Sequence, residues 1–232
     1  MKFSFVTLFP SIVEGYFGDS ILSRAIEGDK ISIETIDPRE FSTNRHNKVD
    51  APMVGGGAGM LMSPQPLLDT ISHIKDTSPN AHIIILTPVA KRFEQQDAKR
   101  LASKEHIVFI SGRYEGIDER VIESVASELF SIGDFILTGG ELASMVMCDA
   151  ISRQVDGVLG NSDSLTVESF EDIRLEAPSF TKPINYENMR VISEFSKGNH
   201  SKITALKSKL SLCKTKYFRP DLYLKVKTKG II

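Results

Sequence analysis

The sequence predicts an α/β protein built on a parallel β-sheet, followed by a small helical domain. Short apolar segments alternate with segments of helical periodicity over the first 150 residues, which is typical of βαβ units. Residues 83–86 are all apolar, as strands covered on both faces of a parallel sheet usually are. After Arg153 the alternation stops, and Gly, Ser, Asp and Pro become frequent. We therefore place an α/β domain at residues 1–160, a linker at 161–183 and a basic helical domain at 184–232.

Each predicted strand is rich in β-branched or aromatic residues, whereas each predicted helix has apolar residues every three or four positions. The predicted strands are residues 2–8, 31–36, 82–86, 106–111 and 135–137. The predicted helices between them are residues 20–27, 66–75, 95–102, 117–127 and 141–153. In the basic domain, residues 187–195 and 201–212 are predicted helices; Asn199 suits an N-cap or a turn before the second.

Composition excludes several classes of protein. The chain has 232 residues, 41% hydrophobic and 25% charged, which is ordinary for a globular protein. No apolar run is long enough to cross a bilayer, and residues 1–6 lack a signal-peptide cleavage site. Its two cysteines, Cys148 and Cys213, form no CxxC pair, and the histidines show no metal-ligand spacing. We expect a cytoplasmic protein with no membrane contact, no disulfide scaffold and no structural metal site.

Charge is distributed unevenly along the chain. Residues 197–232 contain ten Lys or Arg and one acid, so this segment carries +9 while residues 1–196 carry −11. An acidic body with a basic end suggests a polyanionic partner held mainly by that end. A solvated helical surface would give the same pattern, so charge alone leaves both interpretations open.

Glycines cluster where several predicted strands end or begin. In an open α/β sheet, ligands bind beyond the carboxyl ends of the strands. Glycine lets backbone groups approach a ligand closely. The segments concerned are 86–88, 111–116, 131–134 and 137–141. These segments predict a ligand site, and the apolar residues 135–137 between glycines could form a slot for an adenine ring.

A further glycine-rich loop occupies residues 55–59, and Arg45 and His46 precede it. Its backbone N–H groups could hold an anion. It is not a P-loop, because no Lys-Ser/Thr follows its last glycine. Contact with an RNA phosphate and a flexible surface loop are both compatible with this segment.

Several motifs together identify a family resemblance. They are TLFP at 7–10, GGGAGM at 55–60, GRYEGIDER at 112–120, SIGDFILTGGELA at 131–143, GVLG at 157–160 and GNH at 198–200. In this order they closely resemble the bacterial tRNA (guanine-N1)-methyltransferases of the SPOUT superfamily. The match runs from Thr7 to about Leu222. It implies a trefoil-knotted α/β domain with a parallel sheet, joined by a linker to a small C-terminal helical domain, although general topology rules disfavour knots.

The resemblance also implies function. Members transfer a methyl group from S-adenosylmethionine to guanosine 37 of tRNA, beside the anticodon, with magnesium, as homodimers whose active site lies at the subunit interface. The implied cofactor-binding residues are Leu86, Thr87, Pro88, Gly112, Tyr114, Glu115, Ile132, Gly133, Asp134, Phe135, Ile136, Leu137, Gly139 and Gly140. Arg153 matches the catalytic arginine, and Glu168 stands where the family usually has an aspartate as proton acceptor. Glu115 is a weak candidate for a magnesium ligand.

Two other functions remain open from the sequence. A SPOUT methyltransferase could modify ribose hydroxyls or ribosomal RNA, but the carboxylate at Glu168 and the GRYEGIDER motif favour guanine N1. A catalytically silent RNA-binding module would use only the basic end. The intact Gly112, Gly139, Gly140 and Arg153 argue against it.

Overall fold

The computed structural model describes residues 1–161 and 163–230. The chain divides into two compact units, Met1–Gly160 and Asn161–Ile232, called here the first unit and the second unit. None of the described helices is both long enough and apolar enough to cross a membrane. The roles assigned above to a linker and a basic domain stay predictions.

The first unit alternates strands and helices, as its sequence predicted. Its strands are β1 (Lys2–Val6), β2 (Ser32–Ile36), β3 (Asp50–Pro52), β4 (Met60–Met62), β5 (His82–Leu86), β6 (His106–Ile110) and β7 (Glu128–Phe130). Its helices are α1 (Pro10–Phe17), α2 (Ser20–Glu27), α3 (Pro64–Thr77), α4 (Gln95–Leu101), α5 (Glu119–Val125) and α6 (Glu141–Ser152), with a 3-10 helix at Pro38–Phe41. The patterns for β1, β2, β5, β6, α2, α3, α4, α5 and α6 therefore predicted real elements, with small shifts at their ends.

The central sheet is parallel throughout, in the order β2-β1-β6-β5-β7, which confirms the α/β class. Its two faces bury different side chains because neighbouring residues of a strand point to opposite sides. On one face Phe5 and Phe109 lie with their ring centroids 5.2 Å apart, in a core completed by α1, α2, α4 and α6. On the other face Val108 and Ile110 pack against α3 and α5. Burying each such side chain contributes about 1.5–3 kcal/mol.

The prediction of a strand at 135–137 is wrong. This segment is irregular, and the side chains of Phe135 and Ile136 are 53% and 80% exposed. The last strand is instead β7, which pairs with β5 through Ile84 and Glu128. Phe130 closes this strand and is fully buried. An apolar run of three residues cannot by itself distinguish a strand from an exposed loop, because strand pairing is decided by distant residues.

The second unit contains α7 (Asp163–Thr166), β8 (Asn185–Tyr186), β9 (Met189–Arg190), a 3-10 helix at Ser193–Ser196, α8 (His200–Phe218) and α9 (Pro220–Thr228). The predicted helix at 187–195 is wrong, because β8 and β9 form an antiparallel hairpin whose turn places Glu187 at φ +52°. The predicted helix at 201–212 is confirmed within α8. Asn199 is its N-cap and accepts a hydrogen bond from the Lys202 N–H at 3.1 Å.

Candidate cofactor-binding site

The carboxyl ends of β5, β6 and β7 open into one cavity of about 560 Å³. Pockets for small ligands and cofactors have volumes of this order. Most residues that the resemblance assigned to cofactor binding line it, namely Leu86, Thr87, Pro88, Gly112, Tyr114, Glu115, Ile132, Gly133, Phe135, Ile136, Leu137, Gly139 and Gly140. Asp134 is not among the lining residues; its carboxylate pairs with Arg92, whose Nε donates to Oδ1 at 3.2 Å. The tertiary structure thus gathers segments that are far apart in sequence.

Two of these segments approach each other so closely that only glycine fits between them. The Gly140 N–H donates to the Gly112 carbonyl at 2.8 Å. A Cβ on Gly140 would lie 2.8 Å from the Gly112 nitrogen and 3.0 Å from the Ser111 Cα. The backbone of Gly140 is ordinary, with φ −79°, so contact with the neighbouring backbone, and not conformational strain, requires glycine here.

A buried ion pair fixes the turn beside this contact. Glu141, only 1% exposed, begins α6, and its carboxylate oxygens lie 2.9–3.0 Å from Arg113 Nε. The Thr7 hydroxyl donates to the same carboxylate at 2.8 Å, and Arg113 Nη1 donates to the Thr138 carbonyl at 3.3 Å. The guanidinium also lies 4.3 Å from the centroid of the Phe9 ring, within the range of a cation–π contact. The pair therefore ties β1, the loop after β6 and the start of α6 together.

The sequence by itself assigned no role to Thr7, Arg113 or Glu141. Each of them belongs to one of the family motifs: TLFP, GRYEGIDER and SIGDFILTGGELA. A carboxylate in the first turn of a helix and an arginine between glycines were the available signals. Their pairing was not predictable, because Arg113 and Glu141 are 28 residues apart.

One wall of the cavity is apolar and accessible. Phe135, Ile136 and Leu137 are 53%, 80% and 37% exposed, and Gly133 precedes them at φ +159°. A Cβ on Gly133 would lie 2.3 Å from the Phe135 ring, so glycine lets this ring fold back over the chain. Three adjacent apolar side chains that are accessible at a cavity provide a surface against which a flat aromatic ligand can pack.

The glycine-rich loop lies beside the cavity. β3 and β4 pair as an antiparallel hairpin, and the loop between them contains four glycines of positive φ: Gly55, Gly56, Gly57 and Gly59. After the loop, the Met60 carbonyl accepts a hydrogen bond from the Glu115 N–H at 3.0 Å. A Cβ on Gly59 would lie 2.6 Å from the Glu115 side chain. The loop thus contacts a residue of the cavity, and its role toward phosphate stays open.

The two residues predicted to be catalytic, Arg153 and Glu168, are not among the residues that line the cavity. Arg153 follows α6 in the first unit, and its N–H donates to the Asp149 carbonyl at 3.1 Å. It does not line the cavity, since the length of α6 places it about 20 Å from Gly140. Glu168 belongs to the second unit. Both side chains are half-buried, and their catalytic roles stay predictions.

A divalent metal at this cavity would need several oxygen ligands. Among residues 1–161 and 163–230, no group of three or more His, Cys, Asp or Glu side chains is placed to hold a metal ion. Glu115 and Glu119 are the carboxylates that line the cavity.

The fold and the cavity define the class of the protein: a parallel α/β protein with a cavity at the carboxyl edge of its sheet, where cofactors bind in such folds. A sequence model of the family described as tRNA (Guanine-1)-methyltransferase TrmD matches residues 1–225. The chain belongs to this family, and the resemblance carried by its motifs is confirmed.

Individual relatives agree with this assignment. A tRNA (guanine-N(1)-)-methyltransferase from Sulfurovum sp. is 74% identical over 225 residues, covering 97% of this chain and 99% of that protein. The enzyme of the same name from Sulfurimonas denitrificans is 66% identical, and the match covers 98% of this chain and 99% of that protein. The one from Campylobacter curvus is 60% identical, and the match covers 98% of this chain and 96% of that protein.

Proposed function

We propose that this chain transfers the methyl group of S-adenosylmethionine to N1 of guanosine 37 in tRNA, next to the anticodon. One observation carries the proposal: three glycine-opened strand ends meet around one cavity in a chain that the family matches over residues 1–225. The alternatives of ribose methylation and of a silent RNA-binding module gain no support from relatives whose names all specify guanine N1.

The cavity suits S-adenosylmethionine in its shape and lining. The accessible apolar wall at Phe135–Leu137 offers a face for the adenine ring, and glycine at positions 112, 139 and 140 lets the backbone approach a bound ligand closely. Bound S-adenosylmethionine supplies a methyl group already activated by its sulfonium centre. The protein must then align the guanine with that methyl group and accept one proton.

The proton is held at guanine N1, which is a poor nucleophile while it carries hydrogen. We assign its removal to the carboxylate of Glu168 and the stabilisation of charge at guanine O6 to the guanidinium of Arg153. Glutamate keeps the chemistry of the family's usual aspartate with one extra methylene. Because catalysis is sensitive to displacements of about 1 Å, the surrounding backbone must accommodate that length. Glu115, whose carboxylate lines the cavity, is the residue we propose as a ligand of Mg²⁺, which usually binds through one or two carboxylates and several waters; no step of the reaction is assigned to the metal.

A homodimer would bring Arg153 to a cavity that it does not reach in its own subunit. α1 and α6 present an adjoining apolar surface, defined here as the α1–α6 face: Phe9, Ile12, Tyr16, Leu142 and Val146, each 42–54% exposed. The Tyr16 hydroxyl donates to Asp149 of α6 at 2.6 Å and joins the two helices. Exposed apolar patches of this kind mark interaction sites, and a second copy of the chain is the occupant we propose.

The dimer is tested with Leu142→Asp, which places a charge on the α1–α6 face at its most exposed member. We expect sedimentation to show a monomer that transfers no methyl group. Leu224→Asp is the matched control, because Leu224 is 63% exposed on α9 of the second unit and should leave the dimer intact. A Leu142→Asp protein that remains dimeric would contradict the assignment of this face.

The reaction is tested with two tRNA transcripts that differ only at position 37, guanosine or adenosine, and with methyl-labelled S-adenosylmethionine. Label should enter only the first transcript, at a base nitrogen; label on a ribose would support the alternative substrate. Glu168→Gln should abolish turnover and leave S-adenosylmethionine binding within about two-fold, since an amide cannot accept the proton. Glu187→Gln, on the exposed turn between β8 and β9, is the control. Normal turnover by Glu168→Gln would remove that residue from the mechanism.

The remaining parts of the proposal concern the partner and the compartment. We propose that α8 and α9 contact tRNA phosphates, because α8 carries five lysines and no acid and each neutralised phosphate releases counterions. Since tRNA is modified where it is used, we propose the cytoplasm as the site of action. These two assignments rest on charge and on the family.

A further inference from the structure

Two aromatic side chains at the end of α8 have no role in the proposed reaction. Tyr217 and Phe218 are 80% and 63% exposed, and their ring centroids are 4.8 Å apart with the planes at 89°. Each ring therefore presents a face to its surroundings. Large aromatic side chains normally bury most of their surface. An adjacent pair left accessible calls for a partner that covers it.

The surroundings of this pair are strongly basic. Lys216 precedes it directly, Lys214 lies three positions before Tyr217 with its Nζ 3.9 Å from a Glu176 carboxylate oxygen, and α8 itself has no acidic residue along its length. Asp221, the one acid of α9, is held by Arg219 at 2.7 Å. Lys216 Nζ lies 5.7 Å from the centroid of the Tyr223 ring. The pair is thus an uncharged aromatic surface inside a field that attracts anions.

We propose that Tyr217 and Phe218 form a stacking platform for an unpaired base of the tRNA substrate. Lysines that follow a phosphate backbone, combined with aromatic rings on which bases stack, are how proteins bind single-stranded nucleic acid. Every base has a flat face, so the platform needs no particular sequence. The loops of a tRNA supply unpaired bases, whereas its stems do not. The inference deepens the proposed function and rests on it for the identity of the RNA.

The sequence offers a direct reporter for the platform. The chain contains no tryptophan, so Tyr217→Trp gives a protein with a single indole at this position. We expect its fluorescence to be quenched as a tRNA transcript is added without S-adenosylmethionine, and to stay unchanged with a fully paired RNA duplex of equal charge. Equal quenching by the duplex, or none by tRNA, would overturn the platform.

Affinity measurements separate stacking from charge. Tyr217→Ala combined with Phe218→Ala should weaken binding of the tRNA by about ten-fold or more, since stacking contributes about 1–3 kcal/mol per base. The slope of log affinity against log salt should stay the same, because no phosphate contact is removed. Ile21→Ala is the control: Ile21 is a large apolar residue 41% exposed on α2 of the first unit, away from the helices assigned to tRNA, and its loss should leave affinity within about two-fold.

Enzyme kinetics and sedimentation distinguish a stacking platform from a folding defect and from a protein–protein contact. The double alanine variant should bind S-adenosylmethionine normally and keep its kcat at saturating tRNA while KM rises, which a misfolded protein would not do. Wild-type affinity in this variant, or a changed sedimentation mass that marks a protein–protein contact, would refute the proposal. Quenching that persists in a protein unable to methylate guanosine 37 would overturn the proposed function and leave the platform in place.

Discussion

Replacing Gly140 with alanine tests whether close backbone contact builds the cofactor cavity. The added Cβ would lie 2.8 Å from the Gly112 nitrogen and 3.0 Å from the Ser111 Cα. Both are backbone atoms at the end of β6, so neither can turn away as a flexible side chain could. The hydrogen bond of 2.8 Å between the Gly140 N–H and the Gly112 carbonyl holds the two segments at this distance. Accommodating a methyl group must therefore move the cavity wall.

Overpacking of this kind costs about 1–3 kcal/mol, and rigid backbone on both sides places Gly140→Ala in the upper part of that range. Urea unfolding should show a loss of about 2–3 kcal/mol in the free energy of unfolding. Titration calorimetry should show S-adenosylmethionine binding at least about ten-fold more weakly, since 1.4 kcal/mol corresponds to a factor of ten. The fractional loss of affinity for S-adenosylmethionine should be larger than the fractional loss of helix content measured by circular dichroism.

Gly18→Ala is the matched control. Gly18 has the same φ of −79° as Gly140, but its added Cβ would meet only carbonyl oxygens at 3.8 Å, an ordinary contact. This variant should keep its affinity for S-adenosylmethionine. Its free energy of unfolding should rise by up to about 1 kcal/mol, because alanine lowers the conformational entropy of the unfolded chain. If Gly140→Ala matched Gly18→Ala in both measurements, close approach of the backbone would not be what shapes the cavity.

Three further results are expected. Glu141→Gln should lower the free energy of unfolding in urea by about 3 kcal/mol, because it leaves the Arg113 charge poorly compensated; a loss below about 1 kcal/mol would contradict this role. The hydrogen bond to Asp149 raises the pKa of Tyr16 to about 12, so the folded state keeps this proton longer than the unfolded state. The difference in free energy of unfolding between wild type and Tyr16→Phe should be constant below about pH 10 and vanish as pH rises through 12. In a titration followed by phenolate absorbance, the wild type should show one tyrosine that ionises late, and the variant should lack it. Binding of tRNA should weaken about ten-fold or more between about 50 and 200 mM salt; salt-independent binding in a filter assay would exclude phosphate contacts by α8 and α9.

Much of the fold was predictable from local sequence. The apolar residues of β5 and β6, the glycines at their ends and the helical periodicity of α2, α3 and α6 each encode a local preference that the tertiary structure keeps. The N-cap at Asn199 was also predictable, because a cap depends on residues only three positions apart. Hydrophobic patterning succeeds at these places because β5 and β6 are buried on both faces and are therefore continuously apolar, whereas α2 and α3 each bury one side at helical spacing.

Other elements were not predictable from local pattern. Residues 135–137 are as apolar as a buried strand, yet β7 lies earlier, at Glu128–Phe130, because pairing with β5 determined which segment joined the sheet. Residues 187–195 resemble a helix in pattern but contain the hairpin turn between β8 and β9. In each segment an interaction with a more distant part of the chain prevailed over the local preference.

The amino-acid sequence by itself determined the α/β class, most of the segments that line the cavity and the family of the protein, because these depend on residue types in fixed local order. Only the tertiary structure decided that Glu141 holds Arg113 across 28 residues, that Gly140 meets Gly112, and that Asp134 points to Arg92 and not into the cavity. Tyr217 and Phe218 likewise became recognisable as a candidate site only when their exposure was known. Contacts between distant residues follow from how whole elements pack, and the packing of the complete core is a property that no short segment contains.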